Sequence, residues 1–330
     1  MKSDEWVIVV HGGAGAMRSM GPEKENAYRE GMAGAVKAGA LHLEAGGDAV
    51  EAAVLAVAHM EASGAFNAGM GSCLNFEGVM EADAAVMNGA DLGYGAVAAV
   101  PDLGNAVSLA DMVRRRSAHC MLAGEGALRT AAKWPEFVPQ SLPEAPERRA
   151  RWAKMKAETT PDFDSAEALT QMGGTHDDGD TVGAVALDLR GGLATAVSTG
   201  GLWLKSPGRV GDSPLAGSGL WAEDGVVACC ATGTGEFIMR TALCADVRAR
   251  VLAGADVDTA CREALRALET RFGWGRAGLI AVDGTGRIST PFATAGMGRG
   301  WMRTGDLAPM VQVWPEDDPA GRDGMTPARA

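Results

Sequence analysis

Asp180-Thr181-Val182-Gly183-Ala184-Val185-Ala186-Leu187-Asp188 joins two unlike kinds of chain. The polar run His176-Asp177-Asp178-Gly179-Asp180 leads into it, and every residue from Val182 to Leu187 is apolar or glycine. The second part reads as a buried strand. A threonine at such a junction can be inert. If the Asp180–Thr181 bond is cut, Thr181 becomes a chain start. Its hydroxyl then shares one residue with a free α-amine, so nucleophile and general base are the same amino acid.

The strand pattern continues outward from this junction. Residues 182–189 and 192–198 flank Arg190-Gly191, a hairpin signal. The hairpin returns Ser198-Thr199-Gly200-Gly201 toward its own start, and a second hydroxyl on Thr199 could polarise or orient the first. Gly208-Arg209-Val210-Gly211-Asp212-Ser213-Pro214 follows. An arginine fork grips a carboxylate at two points, and an aspartate holds an ammonium. Arg209 and Asp212 therefore suit an α-amino-acid head group, the alternative being a surface salt bridge between them. Ala231-Thr232-Gly233-Thr234-Gly235-Glu236 sits at a strand-to-helix junction, where Thr232 and exposed N–H groups could stabilise an oxyanion. Such junctions are common, so this motif alone is weak.

Upstream, residues 6–10 read as a buried strand and residues 11–15 as a tight turn. That turn has neither the GxGxxG spacing nor the lysine of a phosphate loop. Residues 23–45 read as a helix ending at Gly46-Gly47. Asp48 with Glu51 forms a capping box for a second helix to about Ala62, and Ser108 with Asp111 marks a third to about His119. The stretch 66–72, centred on Asn67, reads as a turn. Glu81 and Asp83 fit one strand face and favour a hydrogen-bonded structural pair over glycosidase carboxylates, because no aromatic sugar platform accompanies them. From Trp134 the composition turns rich in proline and charge. A short helix fits 147–157, and the rest of about 135–180 reads as a long exposed connection. Further strands fit 226–231, 277–283 and 287–290, with helices over 236–253 and 259–271. Strand groups at both ends of the chain, each followed by helices, favour two sheets covered by helices over a βαβ repeat.

Composition bounds the function. The chain has 330 residues, 47% of them apolar, and a net charge of −12. A nucleic-acid partner is disfavoured, and Arg114-Arg115-Arg116 reads as a solvated helix face. No run approaches the roughly 18 apolar residues of a membrane span. No secretory leader is recognised, and six cysteines without a CxxC pair read as buried thiols of a reducing, cytoplasmic setting. The five histidines lack metal-ligand spacing.

The motifs HGGAGA (11–16), FNAGMGS (66–72), LAGEGA (122–127), DTVGAVALD (180–188), STGG (198–201), GRVGDSPLAG (208–217), TGTGE (232–236) and AGLIAVDGTG (277–286) together resemble one family over nearly the whole chain. It is that of the plant-type asparaginases and isoaspartyl peptidases, N-terminal nucleophile hydrolases of the glycosylasparaginase superfamily. The resemblance implies an α+β fold, a four-layer αββα sandwich. It implies autocleavage between Asp180 and Thr181 into an α subunit 1–180 and a β subunit 181–330, and a homodimer of cleaved protomers. Thr181 would attack the side-chain carbonyl of asparagine or a β-aspartyl dipeptide to give a β-aspartyl-enzyme. Thr199 would tune it, and Thr232 with the Gly233 amide would form the oxyanion hole. Arg209 would clamp the α-carboxylate, and Asp212 with the Gly235 carbonyl the α-ammonium. Asn67 would support the nucleophile region. Backbone carbonyls of Met60, Glu61, Ser63, Phe66, Ala68 and Met70 resemble a sodium-binding loop; no other cofactor is expected.

The sequence departs from the family at Leu202-Trp203-Leu204-Lys205, at Pro291-Phe292-Ala293-Thr294-Ala295-Gly296-Met297 and at Asn88. Trp203 is open to two readings, a leaving-group wall or a core residue. The alternative functions are an amidase for a bulkier amide such as glycosylasparagine, and a non-catalytic small-ligand binder keeping the fold.

Overall fold

The computed structural model describes residues 5–15, 20–143, 145–159, 181–318 and 323–326. Its order is β1 (Val7–Gly15), α1 (Pro22–Glu44), α2 (Ala49–Ser63), β2 (Glu81–Asn88), β3 (Tyr94–Pro101), α3 (Ala106–Arg116), β4 (Met121–Ala123), α4 (Gly124–Ala131) and α5 (Pro146–Glu158). After Thr181 come β5 (Val182–Leu187), β6 (Leu193–Thr199), β7 (Leu220–Glu223), β8 (Val227–Gly233), α6 (Gly235–Thr241), α7 (Leu243–Leu252), α8 (Val257–Phe272), β9 (Ala277–Asp283), β10 (Ile288–Ser289), β11 (Gly296–Arg303) and β12 (Met310–Gln312).

Eight strands form one sheet in the order β12-β11-β1-β5-β6-β2-β3-β4, and four form another in the order β10-β9-β8-β7. Side-chain alternation along a strand has period two, so each buried strand feeds two layers. In β1, Ile8 and Val10 join the core under α1 to α3, whereas Val7 and Val9 join the core between the sheets. β5 divides in the same way, with Val182, Ala184 and Ala186 on the helix side and Val185 and Leu187 between the sheets. β8 sends Ala228 and Cys230 into that middle layer, and Val227, Cys229 and Ala231 into a third core under α6 to α8. Three cores between four layers make the expected α+β sandwich of αββα type. The near-continuous apolar strands in the sequence are strands buried on both faces.

Several local expectations change. Residues 11–15 continue β1 rather than turning. A register shift between His11 and Gly13, with Gly13 at φ +122°, kinks the strand while β11 pairs with it to Gly15. The third helix starts at Ala106, not near Ser108. Its Val107 N–H donates to the Glu61 carboxylate (2.9 Å), and Asp111 lies inside the helix, paired with Arg114 and Arg115. The helix expected over 236–253 breaks at Ala242, at φ +48°. The capping contact at Asp48 is present, with Glu51 N–H donating to Oδ1 at 2.9 Å.

α5 spans the whole of the expected helix at 147–157 and is docked on the body of the protein. Four of its side chains donate to carbonyls of one loop: Arg148 to Met70, Trp152 to Asn75, Lys156 to Phe76 and Arg149 to Gly78. Arg115 and Arg116 are exposed, as expected of a solvated face, and pair with Asp111 and Glu136, whereas Arg114 is half-buried against the buried Asp111. All six cysteines are unpaired, and five are buried. No described helix is long and apolar enough to cross a membrane.

Candidate active site

Thr181, at the entry to β5, is 4% exposed. Residue parity sets its direction. Val185 and Leu187 face the layer between the sheets, and a β-carbon added at Gly183 would stand 2.7 Å from Cys230 Sγ on the opposing β8. Thr181 belongs to the same odd-numbered series. Thr199 shares its parity with Leu193 and Val197 on β6, and Thr232 with Ala228 and Cys230 on β8. Val182 pairs with Ser198, so the next rung sets Thr199 level with Thr181. The hairpin thus brings the two threonines to one end of the middle layer, and β8 sends Thr232 into that layer from the facing sheet.

The hydroxyl contacts differ from the expected pair. Thr181 Oγ1 lies 3.3 Å from Ser213 Oγ, and Ser213 is 1% exposed. Thr199 Oγ1 instead accepts the Gly201 N–H at 3.0 Å. Thr232 is fully buried, and its hydroxyl has no hydrogen-bond partner among the described residues. A buried, unsatisfied hydroxyl is costly unless a ligand completes it. Gly233 follows at φ +137°, where a β-carbon would strike Arg276 O at 2.1 Å, so only glycine suits this position.

Asn67 ties the glycine turn to the loop before it. Its Nδ2 donates to Gly201 O (2.6 Å), its Oδ1 accepts Cys73 N–H (2.8 Å), and its carbonyl accepts Gly200 N–H (2.9 Å). Glu81 and Asp83 are the structural pair the sequence suggests. Glu81 accepts from Gly208 N–H and Asp83 from Gly211 N–H, so both fasten the loop that carries Arg209 and Asp212.

Arg209 and Asp212 do not form the salt bridge of the alternative reading. Arg209 Nε and Nη2 both reach Glu236 Oε1, at 2.9 Å each. Asp212 Oδ2 has no partner among the described residues. A β-carbon at Gly235 would meet Asp212 Oδ1 at 2.8 Å and Arg209 Nη2 at 2.9 Å, so the space above this glycine is walled by an anion and a cation. Burial pushes the Asp212 carboxyl up to about 7 despite the nearby guanidinium. For Glu236, burial is outweighed by Arg209, and its carboxyl is held below the ordinary value.

His11 is fully buried with the parity of Val7 and Val9, and burial drives its imidazole down to about 3, the Thr181 backbone opposing this only in part. It stays neutral at physiological pH beside the Thr181 backbone. Trp203 is partly buried against the helix-side core, with the Arg151 guanidinium 4.9 Å from its ring centroid.

In the candidate cation loop several of the six carbonyls are already engaged: Met60 O accepts the Ser63 hydroxyl, Phe66 O the Ala68 N–H, Ala68 O the Gly71 N–H and Met70 O the Arg148 guanidinium. α2 ends at Gly64 with φ +71°. A β-carbon at Gly69 would meet Glu61 O at 2.5 Å, and one at Gly71 would meet Phe66 O at 2.0 Å, so the chain passes close to these carbonyls only as glycine. Among the described residues no side-chain cluster of histidine, cysteine, aspartate and glutamate forms a metal site.

Asp180 lies outside the described residues. Thr181, Thr199, Thr232, Arg209, Asp212 and Gly235 converge on one end of the middle layer, while Asn67 acts one step behind through the glycine turn. Sequence reasoning missed Ser213 and the role of Glu236. Both stand inside quoted motifs, but their partners lie 32 and 27 residues away.

Comparison with known proteins identifies the family. A family model described as Asparaginase matches residues 4–311. A plant-type L-asparaginase from Pyrobaculum calidifontis is 41% identical over 91% of this chain and 98% of its own. An isoaspartyl peptidase from Escherichia coli is 40% identical over 91% of this chain and 94% of its own. An isoaspartyl peptidase/L-asparaginase from Rattus norvegicus is 37% identical over 91% and 87%.

Proposed function

The chain belongs to the asparaginase family, and from that premise we propose that it hydrolyses L-asparagine and β-aspartyl dipeptides through Thr181 as an N-terminal nucleophile. The observation that carries this reading is the meeting of three threonines with an anion–cation pocket at one end of the layer between the sheets. An L-aspartyl group carries its α-carboxylate and α-ammonium on one carbon, and the space above Gly235 offers a guanidinium and a carboxylate side by side.

Cleavage after Asp180 frees the Thr181 α-amine, which takes the proton from Oγ1 as the oxygen attacks the side-chain carbonyl. Negative charge develops on the carbonyl oxygen, and the unsatisfied Thr232 hydroxyl with the Gly233 N–H receives it. The tetrahedral adduct collapses, and the leaving amine departs with a proton from the α-ammonium of Thr181. Water, deprotonated by the same amine, then attacks the β-aspartyl ester. Aspartate is released and the Thr181 hydroxyl restored. Thr199, level with Thr181, orients the nucleophile. Arg209 binds the α-carboxylate; Asp212 and the Gly235 carbonyl bind the ammonium.

The working unit in this reading is a homodimer of cleaved protomers, 1–180 with 181–330, acting in the cytoplasm. The loop carbonyls of Met60, Glu61, Ser63, Phe66, Ala68 and Met70 would hold a structural sodium ion, which steadies the loop ending at Asn67 and takes no part in the bond changes. Turnover of L-asparagine and of β-aspartyl-leucine by wild type, lost in Thr181→Ala, tests the proposal; activity retained in the alanine variant contradicts it.

A further inference from the structure

The two charges of the head-group pocket face a hazard of their own making. Arg209 and Asp212 are three residues apart on one loop, Asp212 buried and Arg209 half-buried, and neither guanidinium nor carboxylate is satisfied by the other. A guanidinium beside a buried carboxylate gains strongly by closing the gap. Closure would fill the space above Gly235 and remove both head-group contacts at once. An arginine stem has several rotatable bonds through which the guanidinium can swing.

Glu236 counters it. The residue stands on α6, under the second sheet, whereas Arg209 and Asp212 are tethered to β2 of the first sheet through Glu81 and Asp83. Its Oε1 takes two of the five guanidinium N–H donors, on Nε and Nη2. That leaves the Nη1 donors uncommitted to Glu236. We propose that Glu236 is a positioning residue that holds Arg209 off Asp212, keeping the pair open as separate sites for the α-carboxylate and the α-ammonium. The proposal rests on the asparaginase reading above and deepens it. Selectivity for free α-amino acids then depends on a third charge that touches no substrate.

The charge count follows the same logic. Asp83, Asp212 and Glu236 all act on Arg209 and hold it firmly protonated against burial. With Glu236 neutralising the guanidinium, Asp212 keeps a net demand for a cation, which the substrate ammonium meets. The substrate enters as a zwitterion, with its carboxylate on the Arg209 donors that Glu236 leaves free.

The test uses purified, cleaved protein as wild type, Glu236→Gln, Glu236→Ala, Arg209→Ala and the double variant Arg209→Ala/Glu236→Ala. Steady-state kinetics are read with L-asparagine and L-asparagine methyl ester. Melting temperature and the fraction cleaved report folding. Glu236→Ala lowers kcat/KM for asparagine about a hundredfold, chiefly through KM, and Glu236→Gln about tenfold. The ester, which lacks the carboxylate charge, loses far less. Because Glu236 acts through Arg209, the double variant is no worse than Arg209→Ala alone. Should Glu236→Ala misfold, the isosteric glutamine variant carries the comparison. Equal losses on asparagine and ester, wild-type kinetics in Glu236→Gln, or losses that multiply in the double variant overturn the role of Glu236 alone. A wild type that turns over neither asparagine nor β-aspartyl-leucine overturns the functional reading and this inference with it.

Discussion

The Thr181 hydroxyl stands 3.3 Å from the Ser213 hydroxyl, and both residues are closed to solvent. The contact joins the start of β5 to the loop that carries Arg209 and Asp212, so Thr181 and that loop are held against one another. Tyr94 and Asp83 secure the same loop through hydrogen bonds with Pro214 O and Gly211 N–H.

Ser213→Ala removes the hydroxyl partner and leaves the loop anchors in place. Loss of one neutral hydrogen bond, about 1 kcal/mol, slows both self-cleavage and turnover by roughly fivefold. Rates of both steps measured on one preparation check this; rates unchanged in the variant contradict an orienting role for Ser213.

Arg209→Lys keeps the charge and loses the planar fork. Transition-state stabilisation falls by about 2–3 kcal/mol for substrates with a free α-carboxylate. The loss shrinks when the carboxylate is esterified. A comparison of kcat/KM on the acid and the ester decides it, since a folding defect affects both alike.

How far the sequence alone reached follows from where each signal lies. Thr181, Thr199 and Thr232 were legible because each sits at an abrupt junction inside a motif: a polar run meeting an apolar strand, the return of a hairpin, and a strand-to-helix turn. Two sheets covered by helices were legible from the grouping of strands and helices, and the four-layer order from the motifs shared with the family. Glu236 was not, since its meaning depends on Arg209 arriving from another element. The start of α3 was misplaced because its capping acceptor is the carboxylate of Glu61, 46 residues away, while Ser108 and Asp111 imitate a local cap. β11 left no strand signal, as Gly296, Gly298 and Gly300 occupy alternate positions, and without it the HGG stretch read as a turn instead of the kinked end of β1.

Gly235→Ala isolates the head-group pocket. The new methyl would stand 2.8 Å from Asp212 Oδ1 and 2.9 Å from Arg209 Nη2. Alanine suits a helix start better than glycine, so stability should hold. KM for asparagine rises at least about tenfold while the melting temperature changes by no more than a few degrees. A variant with wild-type KM would place the substrate head group elsewhere.

The raised Asp212 pKa, near 7 through burial, gives a pH dependence with a definite sign. In the free enzyme the carboxyl is neutral below about pH 7 and cannot hold an ammonium. KM therefore climbs as pH falls through 7, whereas the Thr181 α-amine is read in kcat. Stability runs the other way. The folded form binds more protons than the unfolded chain between about pH 4 and 7, so the Asp212 contribution declines as pH rises through that window. KM measured from pH 5 to 8, with melting of wild type beside Asp212→Asn, checks both signs. A flat KM, or identical pH slopes of stability, contradicts the assignment.

The central claim is that Thr181 becomes a chain start and acts as the nucleophile. Intact mass and N-terminal sequencing of purified wild type and Thr181→Ala, with asparagine turnover on the same samples, test it most directly. The account predicts two wild-type fragments, 1–180 and 181–330, with threonine at the new N-terminus, and a whole, inactive alanine variant. A wild-type chain that remains intact and fully active would contradict it.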